Sequence, residues 1–259
     1  MQNKLPKYEG EKIENGTIIS VSDYISIEEE LQININNKAF TVIMRSPYYD
    51  EELVRGLFYN EDIYSERENF KLEIIRTNKL GYVTEVNINI KENKLSQGYK
   101  SSRSLLSIAS CGICGKQKLD KFYTKQGKLK KAEFDAKNIS KLLALMKQEQ
   151  NNFHLSGGSH AAALFNKKGE LLAVREDIGR HNAVDKVIGK LLIESKLTQA
   201  QFITVSGRIS YEIIAKVFRS RIPVLIAVSA PSSLAIDFAK EFGITIFGFC
   251  RNGKATKYS

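Results

Sequence analysis

Tryptophan is absent from this 259-residue chain, and only three cysteines, three methionines and four prolines are present. Three cysteines are too few for a disulfide framework. No stretch approaches the ~20 apolar residues that a membrane-spanning helix needs, and the polar start of the chain lacks the apolar segment of a secretory signal. We therefore expect a cytoplasmic protein without a membrane partner, in which neighbouring cysteines are more often catalytic or metal-binding than structural.

Acidic residues are also in the minority. The chain has 39 lysines and arginines against 29 aspartates and glutamates, a formal net charge of +10. This balance favours anionic partners: nucleic acid, phosphorylated ligands or an acidic protein surface. Much of the excess is diffuse, as in the lysine-rich run 116–137, which has few aromatic residues and no nucleic-acid motif and predicts a solvated connector. We expect no nucleic-acid partner, and nucleic-acid binding stays a competing hypothesis.

The first part of the chain, 1–125, predicts a β-rich domain that ends in a cysteine-containing loop. Short segments rich in β-branched and aromatic residues, several of alternating polarity, predict its strands. The predicted strands are 17–21, 31–36, 38–46, 70–77 and 82–90. A helix is predicted at 49–63, where Leu53, Leu57 and Phe58 fall at helical spacing. The simplest arrangement is an antiparallel sheet with one covering helix.

A connector at 126–136 leads to a C-terminal domain, 137–259, of different pattern. A helix at 138–153, capped by Asn138 or Ser140, precedes two strands joined by a tight turn at Lys168-Gly169. Apolar strands then alternate with helices. The predicted strands are 202–206, 224–229 and 244–249, and the predicted helices are 181–197, 209–221 and 233–242. This alternation predicts a parallel sheet covered on both faces, which makes the domain a three-layer α/β/α structure and the protein α+β or α/β in class.

The carboxyl ends of these strands predict the position of a binding site. Ligands of open α/β sheets bind beyond the strands' carboxyl ends, where the N-termini of the following helices offer free N–H groups to phosphate. Five loops fall there: 156–160, 175–183, 206–210, 229–233 and 247–252. The candidate binding residues in them are Gly157, Gly158, His160, Arg180, His181, Ser206, Gly207, Arg208, Ser229, Ser232 and Arg251. Each loop alone could be an ordinary turn with a good helix cap, but their concentration on one edge favours a large, multiply charged, nucleotide-containing anion.

Two cysteines, Cys111 and Cys114, lie in the glycine-bearing segment SCGICG at 110–115. Zinc needs at least three protein ligands, whereas Cys250 stands alone and the HxE segment of zinc deaminases is missing, so we expect no metal. Thioredoxin-like exchange usually places CxxC at the start of a helix, which the glycines disfavour. A thiolate that accepts sulfur as a persulfide, with Lys116 nearby, is the third alternative. The residues alone leave dithiol–disulfide exchange and a persulfide relay both open.

Several longer segments carry a resemblance to a known family. They are 45–63, 101–116, 156–189, 206–217 and 223–259. In these segments, which cover most of the chain, the sequence resembles the FdhD family of formate dehydrogenase accessory proteins, which act as sulfur carriers. The run VREDIGRHNAVDK is the most specific of the matches, and its order relative to SCGICG is that of the family.

The resemblance implies a function. Family members take sulfur from a cysteine desulfurase as a persulfide and deliver it to the molybdenum or tungsten bis-molybdopterin guanine dinucleotide cofactor, which is a bound substrate, before its insertion into formate dehydrogenase. Cys111 would carry the persulfide and Cys114 would assist the transfer. The family's cofactor-binding segment falls on Phe247, Gly248, Phe249, Cys250, Arg251 and Asn252. A homodimer and a C-terminal domain resembling the cytidine deaminase fold without zinc are implied as well.

Two alternatives to this function stay open. The first is a chaperone that binds the molybdenum cofactor without essential thiol chemistry, which the predicted anion-binding edge alone would support. The second is a dithiol–disulfide exchanger, which the two cysteines alone would support. Loss of formate dehydrogenase activity on removal of Cys111 would separate the sulfur carrier from the chaperone.

Overall fold

The structure, a computed structural model, describes residues 5–102 and 127–259. These residues form three β-sheets, of two, four and six strands, and helices cover the two larger sheets. The protein is therefore of mixed α and β class, as the sequence predicts. The likeness to the cytidine deaminase fold stays a prediction. In the described part of the chain, no helix is long and apolar enough to cross a bilayer.

A two-stranded antiparallel hairpin comes first, formed by β1 (Lys7–Glu14) and β2 (Thr17–Tyr24). Asn15 and Gly16 close it with φ angles of 49° and 83°, as a type I′ turn requires. The pattern at 17–21 predicts part of β2. It does not predict β1, because every side chain of KYEGEKIE is exposed and no apolar face marks the strand.

The four-stranded sheet and its covering helix follow. They comprise β3 (Glu29–Ile35), β4 (Lys38–Arg45), α1 (Asp50–Asn60), β5 (Leu72–Thr77) and β6 (Val83–Ile88). Leu53 and Phe58 of α1 are fully buried in one core with Leu31, Ile33 and Val86 of the sheet. The strand order is β4-β3-β6-β5, and β3 and β6 run parallel because the intervening α1 allows a crossover, so the expectation of a wholly antiparallel sheet is wrong. The short helix α2 (Gln97–Ser102), which the sequence does not predict, ends this region.

The six-stranded sheet is mixed rather than parallel as predicted. Its strands are β7 (His160–Phe165), β8 (Leu171–Asp177), β9 (Phe202–Val205), β10 (Val224–Ala227), β11 (Thr245–Arg251) and β12 (Lys254–Lys257). In the order β12-β11-β10-β9-β7-β8, strands β9, β10 and β11 are parallel, whereas β7 and β12 are antiparallel to their neighbours. Tight turns at Gly169 and at Asn252–Gly253, all with positive φ, force this arrangement because short turns join only antiparallel strands.

Helices cover both faces of this sheet. They are α3 (Ile139–Gln148), α4 (Asn151–Ser156), α5 (Arg180–Ile193), α6 (Tyr211–Arg219) and α7 (Ser233–Phe242). Helices α5, α6 and α7 pack on one face and α3 on the other. Alternate residues of a strand face opposite sides of the sheet. Leu225 of β10 therefore lies in the core beneath α5, α6 and α7, whereas Val224 and Ile226 lie in the core beneath α3. The result is the three-layer arrangement that the alternation of strands and helices predicts.

The helix predicted at 138–153 is two helices. Gln150 separates α3 from α4 with φ and ψ angles of −86° and 64°, which are not helical. Asn138 occupies the N-cap position of α3, but its side chain makes no capping hydrogen bond, so the predicted cap is wrong in this respect. Ser140 lies inside the first turn of α3 rather than at its cap. The break after Gln148 turns the chain toward the edge where β7 begins.

Residues 127–135, predicted as part of a solvated connector, reach the core instead. The backbone N–H of Leu129 donates to the carbonyl of Phe242 at 2.8 Å, and Leu129 is buried beside α7. The Phe134 ring lies 4.9 Å from that of Phe202 and 5.5 Å from that of Phe247, measured between centroids. Single apolar residues within a lysine-rich run have no periodicity, which is why the sequence conceals these contacts. The predicted domain boundaries stay predictions.

The two larger sheets are joined through α1 and α5. Asn60 Nδ2 of α1 donates to Asp185 Oδ1 of α5 at 2.7 Å. The same carboxylate accepts two hydrogen bonds from Lys216 Nζ of α6, at 2.8 and 2.9 Å. Asp185 and Lys216 are both buried, and a buried charge pair is retained only where its hydrogen bonds are satisfied. The contact therefore fixes the four-stranded sheet, through α1, relative to the α5–α7 layer.

Candidate substrate-binding site

The five loops that the sequence places on one edge do meet there. Strands β8, β9, β10 and β11 run in the same direction, so their carboxyl ends lie on a common edge. Strand β7 runs the opposite way and begins at that edge, with His160 opposite Asp177. Two of the loops are also bonded to each other: Ile209 N–H donates to Ala230 O at 3.0 Å, and Ser232 N–H donates to Ile209 O at 2.9 Å. The register therefore confirms the predicted convergence.

A cavity of about 800 Å³ opens between this edge and helices α3 and α4. The predicted residues that line it are Gly157, Gly158, His160, Ser206, Cys250, Arg251 and Asn252. Its other wall was not predicted. That wall includes Leu143, Met146, Lys147, Gln150 and Phe153, with Val228 and Lys254 from the sheet side. The helical periodicity of α3 was visible in the sequence, but nothing in it separates an apolar face that lines a cavity from one that fills a core.

The lining of the cavity is basic. Lys147, Arg251 and Lys254 line it, and no aspartate or glutamate does among the described residues. Arg251 and Lys254 are register partners in the β11–β12 hairpin, so two like charges are paired across strands, an arrangement that is destabilising unless an anion lies nearby. Among the residues that the structure describes, none of these three side chains forms an ion pair. The cavity therefore suits a polyanionic ligand.

Two further predicted residues, Arg180 and Gly207, lie directly behind His160. A Cβ atom on Gly207 would lie 3.1 Å from Arg180 Cβ and 3.3 Å from His160 Nδ1, so a larger residue would require these neighbours to shift. His160 Nδ1 is 3.3 Å from Ser206 Oγ, which also accepts a hydrogen bond from Ala161 N–H at 2.9 Å. Burial, followed by the charge of Arg180 and of Arg208, lowers the pKa of His160 below its ordinary value of 6.5. The imidazole is therefore mostly neutral at neutral pH.

Other predicted residues have structural contacts and do not line the cavity. Ser232 caps α7 by accepting a hydrogen bond from Ala235 N–H, and His181 is buried with Nε2 3.2 Å from Ser210 Oγ. Arg208 is exposed at the edge. These three residues lie near the starts of α5, α6 and α7, on the face opposite α3, and their contact with a ligand stays a prediction.

The segment 247–252 is divided in the same way. Phe247 is buried in the core beneath α3, and a Cβ atom on Gly248 would lie 2.8 Å from Pro231 Cδ. Phe249 N–H donates to the carbonyl of Ser229 at 3.1 Å, which ties this strand to the preceding loop. Cys250, Arg251 and Asn252, at the far end, are the part of the segment that reaches the cavity.

A buried ion pair, missed in the sequence, fixes the loop at 175–183. Lys186 Nζ lies 2.6 Å from Asp177 Oδ2, and both side chains are almost completely buried. Asp177 also accepts hydrogen bonds from the backbone N–H groups of Ser46 at 3.2 Å and Gly179 at 2.8 Å. Lys186 Nζ donates to Ser46 O at 2.8 Å. These contacts hold the start of α5 against the β4–α1 connection.

The three cysteines differ in what the structure says of them. Cys111 and Cys114 lie outside the described residues. Cys250 is buried, and burial raises its pKa from 9.0 to about 11. Its thiol is therefore protonated at neutral pH and is a poor nucleophile.

Fold and cavity together define a mixed α/β protein with a basic binding site at the carboxyl edge of its larger sheet. Sequence comparison defines the family: the chain belongs to the FdhD/NarQ family, whose model matches residues 26–259. This confirms the resemblance seen in the sequence.

Several relatives are similar over almost their whole length. The chain is 36% identical over 252 residues to the sulfur carrier protein FdhD of Sulfolobus acidocaldarius. The alignment covers 96% of this chain and 94% of the relative. It is 34% identical over 258 residues to the protein of the same name from Streptomyces coelicolor, with 96% and 91% covered. A crystal structure of a candidate formate dehydrogenase accessory protein from Desulfotalea psychrophila has the same fold, with a TM-score of 0.75, 19% identity, and 98% of this chain and 96% of that one covered.

Proposed function

We propose that this protein is a sulfur carrier that accepts persulfide sulfur at Cys111 from a cysteine desulfurase. It delivers that sulfur to the bis-molybdopterin guanine dinucleotide cofactor of molybdenum or tungsten, its bound substrate, and so activates formate dehydrogenase. Membership of the FdhD/NarQ family and relatives named as sulfur carriers support the proposal. The homodimer and the guanine-nucleotide ligand expected from the sequence are part of it.

The observation that carries the proposal is a cavity lined by three cations, with no ion pair and no lining carboxylate among the residues that the structure describes. A bis-molybdopterin guanine dinucleotide bears two pyrophosphate groups, and Lys147, Arg251 and Lys254 supply charges that phosphate oxygens would satisfy. The apolar wall of α3 suits the flat ring systems of the same molecule. A volume of about 800 Å³ is within the range of small-molecule sites, roughly 300–1,000 Å³.

The proposed sulfur transfer consists of two nucleophilic displacements at sulfur. The Cys111 thiolate attacks the terminal sulfur of the donor's persulfide, the donor S–S bond breaks, and the donor thiolate leaves. The Cys114 thiolate then attacks Cys111 Sγ, which forms a disulfide and releases hydrosulfide for the metal. The sulfane sulfur gains two electrons from the two thiols, so a dithiol reductant must restore the pair for the next cycle.

The direct test is mass spectrometry after incubation with a cysteine desulfurase and cysteine. We expect a gain of one sulfur atom on Cys111, lost in Cys111→Ala and retained in the control Cys250→Ala. In cells, Cys111→Ala should abolish formate dehydrogenase activity while the polypeptide and its cofactor stay in place. Full activity of that variant would exclude the proposal.

A cofactor-binding chaperone without essential thiol chemistry is the second candidate. It is favoured by one observation: the described residues supply a basic cavity lined by Lys147, Arg251 and Lys254. It predicts that formate dehydrogenase activity survives the double variant Cys111→Ala/Cys114→Ala. Activity of the dehydrogenase in that double variant, compared with a variant depleted of cavity cations, separates the two candidates.

A further inference from the structure

Gln150 lines the cavity just after α3 ends, and its long polar side chain carries no charge. It is 5% exposed, and it lines the cavity. Within the described residues its side-chain amide has no hydrogen-bond partner, whereas its backbone N–H donates to Lys147 O at 3.2 Å. Its amide nitrogen and oxygen are not among the completely sealed polar atoms, so both retain access to the cavity.

Neighbouring polar groups of the cavity are engaged within the fold. Ser159 Oγ donates to Glu176 Oε1 at 2.7 Å, and Ser206 Oγ accepts from Ala161 N–H. The Gln150 residue is more than nine-tenths buried and its amide has no partner among the described residues, so only a group that occupies the cavity can satisfy it. The amide of Gln150 thus differs from its neighbours, and a ligand with both a donor and an acceptor would satisfy it.

The surroundings of Gln150 define the shape and chemistry of that ligand. Leu143, Met146, Phe153 and Val228 line the same cavity and provide apolar surface for a flat ring. A primary amide has one acceptor and two donor hydrogens in a plane, and glutamine pairs bidentately with the edge of a base through them. The cations that line the cavity, Lys147, Arg251 and Lys254, would bind phosphate, which leaves the amide for the heterocycle.

We propose that Gln150 is the base-binding residue of the cavity and that it pairs with the hydrogen-bonding edge of a purine base. The assignment rests on the proposed function, which places a guanine nucleotide in this cavity. Nε2 donates to the exocyclic oxygen of guanine, and Oε1 accepts from the adjacent ring N–H. The base lies on the apolar wall of α3, and its phosphates extend toward the β11–β12 hairpin.

The test is isothermal titration calorimetry of the full-length protein with GDP, ADP and inorganic pyrophosphate. Gln150→Leu should weaken GDP binding about tenfold or more, because a bidentate base contact is lost, and should leave pyrophosphate binding within about twofold. Gln150→Glu, which only accepts hydrogen bonds, should raise the ratio of GDP to ADP affinity, since guanine presents two adjacent donors on that edge. Equal effects on GDP and pyrophosphate, or an unchanged ratio in Gln150→Glu, would overturn the assignment.

Stability separates recognition from a structural role. Because the amide of Gln150 has no partner in the described fold, Gln150→Leu should unfold at the temperature of the wild type or above it. A marked loss of thermal stability would count against the assignment. Gln148→Leu is the matched control, since Gln148 is an exposed residue in the last turn of α3 that does not line the cavity, and its nucleotide affinities should not change.

The wild type distinguishes failure of this inference from failure of the proposed function. One outcome is that the wild type binds GDP and pyrophosphate while no Gln150 variant changes the affinity for GDP relative to ADP or pyrophosphate. That result would retain the anion site and exclude only the base-reading role of Gln150. A wild-type protein that binds no GDP contradicts both the nucleotide substrate and the role of Gln150.

Discussion

Gly189 of α5 lies against the backbone of Gly56 in α1. A Cβ atom on Gly189 would stand 2.8 Å from the Gly56 amide nitrogen and 1.8 Å from the Glu52 carbonyl oxygen. A Cβ atom on Gly56 would stand 1.9 Å from the Asp185 carbonyl oxygen. The two helices therefore touch through their backbones, and side chains larger than hydrogen would separate the four-stranded sheet from the α5–α7 layer.

Gly189→Ala should destabilise the protein. An alanine in place of glycine within an exposed helix normally stabilises it by about 0.5–1 kcal/mol, but here the added methyl group meets backbone that cannot rotate away. We expect a loss of about 3 kcal/mol or more in the free energy of unfolding, measured by urea denaturation. Gly10→Ala is the control, because its Cβ would meet only Val21 Cγ2, at 4.0 Å. A Gly189→Ala protein as stable as the wild type would contradict the packing described.

Lys186→Met should also lower stability, through a different mechanism. It leaves the carboxylate of Asp177 buried without its ion-pair partner, which costs about 3–5 kcal/mol in comparable cases. The double variant Lys186→Met/Asp177→Asn should recover part of the loss, since no uncompensated charge remains. Lys190→Met, which breaks a partly exposed pair with Glu194, should cost no more than about 1 kcal/mol. Chemical denaturation of the four proteins checks this ordering.

The sequence predicts the edge of the binding site but not its interior, and the reason is physical. Strand–helix alternation determines which loops share an edge, so the loops containing His160, Ser206 and Arg251 could be brought together from pattern alone. Gln150 could not be identified, because its importance depends on a helix break and on a missing hydrogen-bond partner. Asp177 and Lys186 were recognisable only as charged residues, since the sequence does not show that both are buried.

The pKa of His160 should respond to anions. Burial and the charge of Arg180 hold it below 6.5, and a phosphate beside the ring would raise it by favouring the imidazolium. An NMR titration of the imidazole should show a midpoint below that of a free histidine, which moves upward on addition of pyrophosphate. A midpoint unaffected by saturating pyrophosphate would mean that the anion does not approach His160.

The lowered pKa of His160 should also make the folded protein less stable as the pH falls. The unfolded chain binds a proton near pH 6.5, whereas folded His160 stays neutral to lower pH, so its contribution falls as pH drops from 7 through 6.5 toward the folded pKa. His160→Gln should therefore lose less stability than the wild type over that interval. Thermal unfolding at pH 7.5 and pH 5.5 gives the comparison.

Removal of the cavity cations Arg251 and Lys254 should weaken anion binding, and the loss should depend on the salt concentration. Arg251→Gln and Lys254→Gln each delete one charge that would pair with phosphate, so each should lower the affinity for pyrophosphate by roughly tenfold at low ionic strength. The difference from the wild type should shrink as salt is added, because added ions screen exposed charges. Lys38→Gln, at the exposed start of β4, is the control and should bind pyrophosphate normally. Calorimetry at two salt concentrations would show whether these cations or others hold the anion.

Cys250 should be chemically inert, although it lines the cavity. Burial raises its pKa from 9.0 to about 11, so at pH 8 its thiolate is roughly 100-fold scarcer than that of an ordinary cysteine. In the variant Cys111→Ala/Cys114→Ala, iodoacetamide should therefore label the native protein at least about 100-fold more slowly than the urea-unfolded protein, and the native rate should keep rising with pH beyond pH 9. Fast labelling at pH 8 would show that the thiol is accessible and ionised, and sulfur could then pass through Cys250. Slow labelling, together with an unimpaired Cys250→Ala protein, confines the sulfur relay to the other two cysteines and leaves Cys250 as a contact surface for the ligand.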